Sequence, residues 1–393
     1  MARPTLVLRR ARLFAPGAAS TDLFDVEVAG GCVAAVVPSP GSRTAPREAD
    51  LGGRMLLPGL VNAHDHLDFS TFPPLGRPPY TRAAERDRHV EAAAGSPDVA
   101  AALRVAAADR LLLGGLRNLV CGVTGVLHHG PFHRSLQRDD FPVRVQQRYQ
   151  FARSPGLDPR LRRSYRSTDR RIPWLVHAGE GTDETSRAEI DALAGQNVLR
   201  QNTVVVHAIA FGAPEAERLA AARAAVVWCP EANLREFGRS ADVRALRAAG
   251  VRVGLGSDGP ASGARDPLSN LAAAAAAGVL DPAGLILLAT RDSAEVARLP
   301  VGGFEPGSPA DLLAVPDLAS LLAGARQAVE LVVVAGEPRY GTPELMGELG
   351  VRVEPIGLDG AVRSLAAGLA RDARRALRGA RLGGVAWLRG LRL

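Results

Sequence analysis

The chain opens with short runs rich in strand-forming residues, the pattern expected of β-strands. These runs are Thr5–Arg10, Leu23–Val28, Cys32–Val37 and Met55–Leu57, with Gly30 and Gly31 forming a turn between the second and third. So small a module cannot close a hydrophobic core by itself. Similar runs recur much later, over Ala310–Val315 and Ala328–Gly336. We therefore predict a small discontinuous β-sandwich satellite made of residues 1–57 and 301–345.

Between these two segments, strand-like runs alternate with helical ones. The strand-like runs are Gly122–Leu127, Val143–Tyr149, Trp174–His177, Thr203–His207, Ala225–Cys229 and Val251–Gly256. The helical runs are Asp98–Leu116, Glu184–Leu193, Glu215–Arg223, Ala241–Ala249, Asp266–Ala277 and Arg291–Leu299. This alternation is typical of a parallel α/β fold, and we predict a distorted (β/α) TIM-type barrel over residues 58–300.

One barrel strand is hard to find. With the strand before His64, seven strands are clear, and residues 151–173 show no strand pattern. Whether an eighth strand is missing stays open at this point. Residues 346–393 are predicted to form a C-terminal helical extension, with a strand candidate at Val351–Pro355 and a helix over Gly360–Arg378.

Composition narrows the class of protein. The chain is 47% hydrophobic and 23% charged, as soluble globular proteins are. Its formal net charge of +7 comes from arginine, because the sequence contains no lysine. These arginines are scattered along the sequence, so we predict no nucleic-acid surface. Cys32, Cys121 and Cys229 are far apart and odd in number, which argues against a disulfide framework or a cysteine metal site.

The same features bear on location and partners. Arg9, Arg10 and Arg12 interrupt the first apolar run, so it does not have the pattern of a signal peptide. No apolar run is long enough to span a membrane. We expect a cytoplasmic protein that acts on a small-molecule substrate and has no membrane partner, with a homodimer left open.

The stretch Leu57–His66 carries the first candidate chemistry. Two histidines, His64 and His66, end a short apolar run punctuated by Pro58 and Gly59. Residues i and i+2 of a strand point to the same side, so both imidazoles can face one point. Imidazole is the commonest protein ligand of zinc and also suits iron.

Other ligand-type residues follow the ends of later strands. His177 ends one strand and precedes Glu180, His207 ends the next strand, and Asp258 follows the strand over Val251–Gly256. In β/α barrels the carboxyl ends of the strands converge on the active site. We therefore expect these side chains to lie together with His64 and His66.

In this order, the motifs resemble the amidohydrolase superfamily, specifically its metal-dependent deaminase and chlorohydrolase-like branch. The motifs are Leu57–His66, Gly122–Thr124, His177–Glu180, His207, Cys229–Asn233, Gly256–Asp258 and Pro306–Leu312. The resemblance implies a distorted barrel and a divalent metal held by His64, His66, His177 and Asp258. It also implies that His207 lies beside the metal-bound water or the substrate, and that Glu180 shuttles protons.

The chemistry of these residue types supports such roles independently. A catalytic metal keeps one position open for water and lowers the pKa of that water. A carboxylate three residues beyond a histidine ligand can exchange protons with the metal-bound water. Asp258 is also able to take a proton from that water, so which of Asp258 and Glu180 transfers the proton stays open.

The expected number of metals follows from what the sequence lacks. Members of the superfamily with two metals bridge them with a carboxylated lysine or a glutamate from a middle strand. This chain has no lysine and no glutamate between Glu91 and Glu180. We predict one divalent metal, with zinc as first choice and iron as second.

Several further positions are less defined. One of His128 and His129 is expected to face the pocket, and residues 67–80 are expected to form a loop that covers the substrate. Arg148 and Arg153 are candidates to hold a substrate anion, although a solvated surface is the simpler interpretation. Asn233 is expected only to cap a helix.

Together these features predict a metal-dependent hydrolase that cleaves a carbon–nitrogen bond with metal-activated hydroxide. Deamination of a cyclic amidine or amino-heterocycle is the first hypothesis. Hydrolysis of an amide bond other than a peptide bond is the alternative. A non-catalytic scaffold with the same fold is the third, and the full ligand set argues against it.

Overall fold

The computed structural model describes residues 3–16, 21–300, 302–378, 382 and 384–393. The parts of the predicted satellite and extension at 1–2, 17–20, 301, 379–381 and 383 lie outside the described residues. Five strands open the chain: β1 (Leu6–Leu13), β2 (Phe24–Ala29), β3 (Cys32–Pro38), β4 (Glu48–Asp50) and β5 (Met55–Pro58). The first three pair antiparallel, and β2 turns into β3 at Gly30 and Gly31. Both glycines have positive φ, the backbone conformation that glycine adopts without steric cost.

Eight parallel strands form the barrel: β6 (Leu60–Asp65), β7 (Val123–His128), β8 (Arg144–Val145), β9 (Gln150–Ala152), β10 (Trp174–Ala178), β11 (Thr203–His207), β12 (Ala225–Trp228) and β13 (Arg252–Leu255). They form two ladders, β6-β7-β8 and β9-β10-β11-β12-β13. A parallel bridge between Asp65 and Asp258 joins the end of β6 to the segment after β13. Within the described ranges no ladder joins β8 to β9, and this gap is the distortion of the barrel.

The strand that the sequence left open is therefore β9, which pairs in parallel with β10. It is three residues long, too short to show a periodic pattern.

Helices and short 3-10 turns connect the strands and cover the barrel. The helices are α1 (Ala83–Ala93), α2 (Pro97–Arg104), α3 (Ala107–Leu119), α4 (Leu161–Arg166), α5 (Glu184–Arg187), α6 (Glu189–Gly195), α7 (Ala213–Ala221), α8 (Pro230–Phe237), α9 (Val243–Ala248), α10 (Pro267–Ala276), α11 (Pro282–Leu287) and α12 (Ser293–Ala297).

The chain then returns to the first sheet. Strands β14 (Leu312–Val315), β15 (Leu331–Val334) and β16 (Glu337–Gly341) follow, with α13 (Leu318–Leu322) between the first two and α14 (Pro343–Glu348) after the third. Because β14 pairs antiparallel with β5, the late segment completes the satellite begun by the early one. The predicted fold class, a barrel with a discontinuous β satellite, is confirmed, while the domain boundaries stay a prediction.

The C-terminal extension differs from its predicted helical form. It contains β17 (Val353–Leu358), β18 (Ala361–Ala366), α15 (Ala367–Leu377) and β19 (Leu391–Arg392). The helix predicted over Gly360–Arg378 is thus wrong for its first residues. Six antiparallel pairs between β17 and β18 hold those residues in a strand, and β18 also pairs with β16. The hydrogen-bonded pairing of β18 with β17 and β16 therefore outweighs the helix-like spacing of the apolar side chains in Ala361–Ala366.

Branched and small side chains fill the inside of the barrel. One buried cluster includes Val61, Leu175, Val204 and Val227 from four barrel strands, together with Val296 of α12. Alternate strand residues point inward, so short strands of this kind supply the interior layers of the barrel. This packing fixes the strand ends that carry the candidate ligands.

The C-terminal extension is tied to the barrel beside β6. The indole of Trp387 is fully buried, and its Nε1 donates to the carbonyl of Ser70 at 2.6 Å, just after the strand that carries His64. Arg326, also buried, donates to the carbonyls of Trp387 and Arg389 and pairs with Asp359. The tail thereby holds the start of the loop that follows the ligand pair.

We expect Trp387→Phe to lower the free energy of unfolding by about 1–3 kcal/mol, because it leaves the buried Ser70 carbonyl without its donor. Chemical denaturation measures this change. Leu103→Ala, at an exposed apolar position of α2, is the control and should shift stability by less than about 0.5 kcal/mol. A loss in Trp387→Phe no larger than in that control would show that the bond does not hold the tail.

Candidate metal centre and its pocket

Two histidines at the end of β6 start the site. His64 is buried and His66 is half-buried, and their ring centroids lie 5.0 Å apart. Gly256, after β13, permits this approach: a Cβ there would come within 2.7 Å of the Cβ of His64. A glycine is therefore required where β13 passes the first histidine.

Asp258 reaches the same point from the end of β13. Its Oδ1 lies 3.4 Å from Nε2 of His64 and 3.4 Å from Nε2 of His66. Burial disfavours its charge, but the surrounding imidazoles hold the pKa of this carboxyl well below its usual range. Asp258 also has a positive φ of 56°. A non-glycine residue in this conformation costs about 1–3 kcal/mol, and such strain is concentrated at functional sites.

The turn after β10 brings in a second group. His177 Nδ1 lies 3.6 Å from Oε2 of Glu180, and His207 Nε2, from the end of β11, lies 3.7 Å from Oε1 of the same carboxylate. Glu180 and His207 are buried, and His207 has a φ of 78°. The structure therefore brings all six predicted site residues to one end of the barrel.

His129 joins them, which the sequence left undecided. One nitrogen from each of His64, His66, His129 and His177 lies within 4.8 Å of the others. The Nε2 of His129 donates to the carbonyl of Ala152 at 3.2 Å, so its Nδ1 keeps the lone pair and faces Nδ1 of His64 at 3.3 Å. His128 is the last residue of β7 and His129 follows it, so their place at a strand end was the only sequence feature that pointed to His129.

These residues fit a divalent metal. In the described part of the chain, Nε2 of His64 and Nε2 of His177 are buried and have no hydrogen-bond partner. Burial lowers the pKa of every imidazole in the group, so the rings are neutral, the form that binds metals. Buried lone pairs without donors are costly, and a metal ion removes that cost. The histidines and the adjacent carboxylate could therefore hold a metal ion.

A buried polar network fixes the strand end between the two histidines. Asp65 is fully buried and forms an ion pair with Arg117, which is equally buried. Its other carboxylate oxygen accepts from Asn118 at 2.6 Å and from Asn62 at 3.0 Å. Asn62 also accepts from the backbone N–H of Ser257 at 3.0 Å, next to Asp258. This network links β6, α3 and the end of β13, and sequence patterns gave no reason to single out its members on α3.

The expectation that Asn233 caps a helix is wrong, because Asn233 lies inside α8 and the N-cap of that helix is Cys229. The Oδ1 of Asn233 accepts from Nδ1 of His207 at 2.8 Å, and both side chains are buried. An amide oxygen is an acceptor only, so Nδ1 of His207 carries the proton and Nε2 keeps its lone pair toward Glu180. Asn233 therefore selects the tautomer of His207 and orients the ring.

A pocket of about 400 Å³ opens onto this group. Its apolar wall includes Phe69, Val90 and Phe151, and His66, His177 and Glu180 form its floor. Phe69 stacks on the ring of His66 with centroids 5.3 Å apart. Phe69 belongs to the loop over residues 67–80, so that loop does border the pocket.

Charged side chains surround Glu180. Arg86 of α1 donates to Glu236 Oε1 at 2.7 Å, and Arg86 also lines the pocket. Burial raises the pKa of Glu180 to about 7, an effect that the Arg86 guanidinium opposes. A carboxyl with such a pKa both accepts and releases a proton near neutral pH, which suits a group that transfers protons.

The remaining candidates from the sequence are Arg148, Arg153 and His128, and they differ in whether they line the pocket. Arg153 lines the pocket, where it pairs with Asp87. Arg148 lies outside it, 67% exposed, and pairs with Asp169. His128 is buried behind the site, with Nδ1 3.3 Å from the carbonyl of Asp65. Of the two arginines, only Arg153 is placed to meet a substrate.

We expect Arg117→Met to lower the free energy of unfolding by about 3–5 kcal/mol, because it leaves the buried Asp65 charge without its partner. Denaturant titration measures the loss. The double variant Arg117→Met with Asp65→Asn should recover part of it, since the uncompensated charge is then gone. A double variant less stable than Arg117→Met would contradict this account of the pair.

Comparison with known proteins agrees with this architecture. A family model described as "Amidohydrolase family" matches residues 55–339. The chain is 28% identical over 217 residues to a 5-methylthioadenosine/S-adenosylhomocysteine deaminase of Nitratidesulfovibrio vulgaris, covering 45% of this chain and 49% of that protein. It is 33% identical over 132 residues to an 8-oxoguanine deaminase of Pseudomonas aeruginosa, covering 31% of this chain and 29% of that protein. The matched stretches thus span half or less of these curated relatives.

A solved structure extends the similarity to almost the whole chain. The crystal structure of an adenosine deaminase from Xanthomonas campestris with bound zinc superposes with a TM-score of 0.70 at 21% identity, covering 96% of this chain and 99% of that one. At this identity the superposition establishes the shared fold. The family match covers most of the chain and includes every strand end that carries the metal-binding group. The chain belongs to the amidohydrolase family.

Proposed function

We propose that the chain is a metal-dependent hydrolase that deaminates an amino-heterocycle. The observation that carries the proposal is the convergence of His64, His66, His177 and Asp258 beside a buried carboxylate, Glu180, at the floor of one pocket. Deaminase names among the relatives support the same reaction class. Amide hydrolysis needs the same groups, so the proposed test includes amides as a separate arm.

The proposed ligands of a single divalent ion are His64, His66, His177 and Asp258. His129 is proposed to orient His64 through the contact between their Nδ1 atoms. When bound, such an ion supplies an activated water at neutral pH. Zinc is the first choice, because imidazole and carboxylate ligands suit it and the zinc-containing neighbour shares the fold. Iron is the second choice.

The proposed proton transfers use this chain's own side chains. Water adds to the ring carbon that bears the amino group, and the carbon–nitrogen bond then breaks to release ammonia and leave a ring carbonyl. Glu180 is proposed to take one proton of the attacking water and to return it to the departing nitrogen, while the second proton of that water ends on the neighbouring ring nitrogen as the carbonyl forms. The lone pair on Nε2 of His207, set by Asn233, is proposed to accept a hydrogen bond from water or from the ring.

The pocket suits a flat ring. Phe69 and Phe151 offer aromatic faces, while Arg86, Asp87 and Arg153 supply charge at the rim. A planar amino-heterocycle is therefore the proposed substrate class. Adenosine derivatives are the first compounds to test, because relatives are named for them.

Ammonia release from purified, zinc-loaded protein tests the proposal. The panel contains S-adenosylhomocysteine, 5-methylthioadenosine, adenosine, 8-oxoguanine and a set of simple amides. Release from an amino-heterocycle, abolished in His177→Ala, is the expected result. Release from amides alone would replace deamination by the alternative reaction.

Elemental analysis of the purified chain should find about one tightly held divalent metal. His64→Ala and Asp258→Ala should each abolish tight metal binding, because each removes one of only four proposed ligands. His129→Ala should retain a metal with about 10–100-fold weaker affinity, the usual effect of losing a group that orients a ligand. Two equivalents that survive dialysis, or loss of all metal only in His129→Ala, would refute this ligand set.

Glu180→Gln should lower turnover by about 10²–10⁴-fold while the metal content stays at one per chain, because the amide keeps the shape but cannot exchange protons. Steady-state kinetics and metal analysis on the same sample measure both quantities. Glu231→Gln is the matched control, since this half-buried carboxylate accepts from Ser269 away from the pocket. Normal turnover in Glu180→Gln would remove Glu180 from the mechanism, and loss of metal would make it a ligand.

A further inference from the structure

Eight arginines, spread along the sequence, line two adjoining hollows on the surface of the folded chain. A cavity of about 590 Å³, here called the arginine bowl, is lined by Arg170, Arg171, Gln201, Arg223, Arg252 and Arg298. Arg170 also borders a second hollow of about 500 Å³ that contains three more arginines, Arg162, Arg166 and Arg200. The sequence predicts scattered positive charge, but these arginines lie close together in the folded chain.

The bowl lies at the opposite end of the barrel from the metal centre. Arg171, Gln201, Arg223 and Arg252 stand at or just before the first residues of β10, β11, β12 and β13. Candidate site residues lie at the other end of three of these strands: His177 and Glu180 at the end of β10, His207 at the end of β11, and Asp258 just after β13. Four or five residues at about 3.3 Å each separate the two ends, so roughly 15 Å lies between them.

Two guanidinium groups of the bowl are held in place by the backbone. Arg252 donates to the carbonyl of Arg223 at 2.8 Å. Arg298 donates to the carbonyls of Arg170 at 3.1 Å and Gln201 at 3.3 Å. A guanidinium carries five N–H groups, so these bonds leave several donors on each side chain.

Carboxylates do not balance this charge within the described residues. Asp169 pairs with Arg171 and Arg148, and no ion pair is formed by Arg223, Arg252 or Arg298 in that part of the chain. Asp292 and Glu295 border a neighbouring hollow beyond Arg252, where Asp292 pairs with Arg247 and Arg291. Burial and the charge of Arg252 lower the pKa of Arg298, so the two cations repel each other in the apo chain.

We propose that the arginine bowl binds an oligophosphate anion, either free or carried on a nucleotide. The planar fork of arginine matches phosphate oxygens with paired hydrogen bonds, and several such forks around one cavity suit an anion with several phosphates. The cavity is concave and lies between strand starts, which favours a small anion over an extended polymer. The bound anion relieves the repulsion among the arginines.

A purely structural role is the rival account. The ends of α7 and α12 lie beside the bowl, and cations stabilise helix carboxyl ends and their free carbonyls. On that account the arginines need no ligand. The two accounts differ in whether an added anion binds to the folded chain.

Isothermal titration calorimetry of the full chain with sodium tripolyphosphate at about 50 mM salt tests the proposal, since low salt limits screening. We expect one site per chain and at least about a tenfold weaker Kd in the double variant Arg252→Gln with Arg298→Gln, because hydrogen bonds to charged groups contribute that much. Arg88→Gln is the matched control, an exposed arginine of α1 that also donates to a carbonyl. All three proteins keep the same metal centre, so chelation by the probe contributes equally.

A second titration with ADP and a third with a short RNA duplex identify the source of the phosphates. Tighter binding of ADP than of tripolyphosphate, lost in the double variant, assigns the bowl to a nucleotide. No heat with the unmodified chain, or an unchanged Kd in the double variant, overturns the proposal. If the RNA duplex binds more tightly than both small anions and the double variant loses this binding, the assignment of the bowl to a small anion is overturned. Thermal melts confirm that each variant is folded.

Discussion

The buried ion pair between Asp65 and Arg117 is the constraint on which the position of the candidate metal site depends. Asp65 lies between His64 and His66, the two candidate ligands on β6, so its position constrains the direction of both. Removing a carboxylate from water costs several kcal/mol, and only a partner as close as Arg117, helped by two amide donors, offsets that cost. Since those partners come from α3 and β6, the site is specified by packing between a helix and a strand as much as by its ligands.

The same end of β6 is held from a second direction. Trp387 donates to Ser70, and the chain between Ser70 and His66 carries Phe69, which stacks on His66. The C-terminal extension, which contains no candidate ligand, thus contacts the segment that forms one pocket wall. Strain at His207 and Asp258 is tolerated because short parallel strands and hydrogen bonds on both sides define these positions.

The two ends of the barrel strands have opposite chemistry. At the carboxyl ends, neutral imidazoles and two buried carboxylates surround a space suited to a cation. At the amino ends, arginines with few acidic partners surround a space suited to an anion. The strands between them carry both sets, so one scaffold presents two clusters of opposite chemistry about 15 Å apart.

Sequence alone determined the fold class, and it predicted the six residues that the structure brings together, because strand–helix alternation and strand-end motifs are local patterns. The histidine pair, His177 with Glu180, His207 and Asp258 each follow an apolar strand, so their convergence follows from the barrel. Local patterns did not identify Arg117, Asn118 or Trp387, whose partners lie 52, 53 and 317 residues away along the chain. Nor did they separate His129 from His128, reveal the three-residue strand β9, or show that eight scattered arginines line two adjoining hollows. Those features depend on contacts between distant segments, and only the tertiary structure decides them.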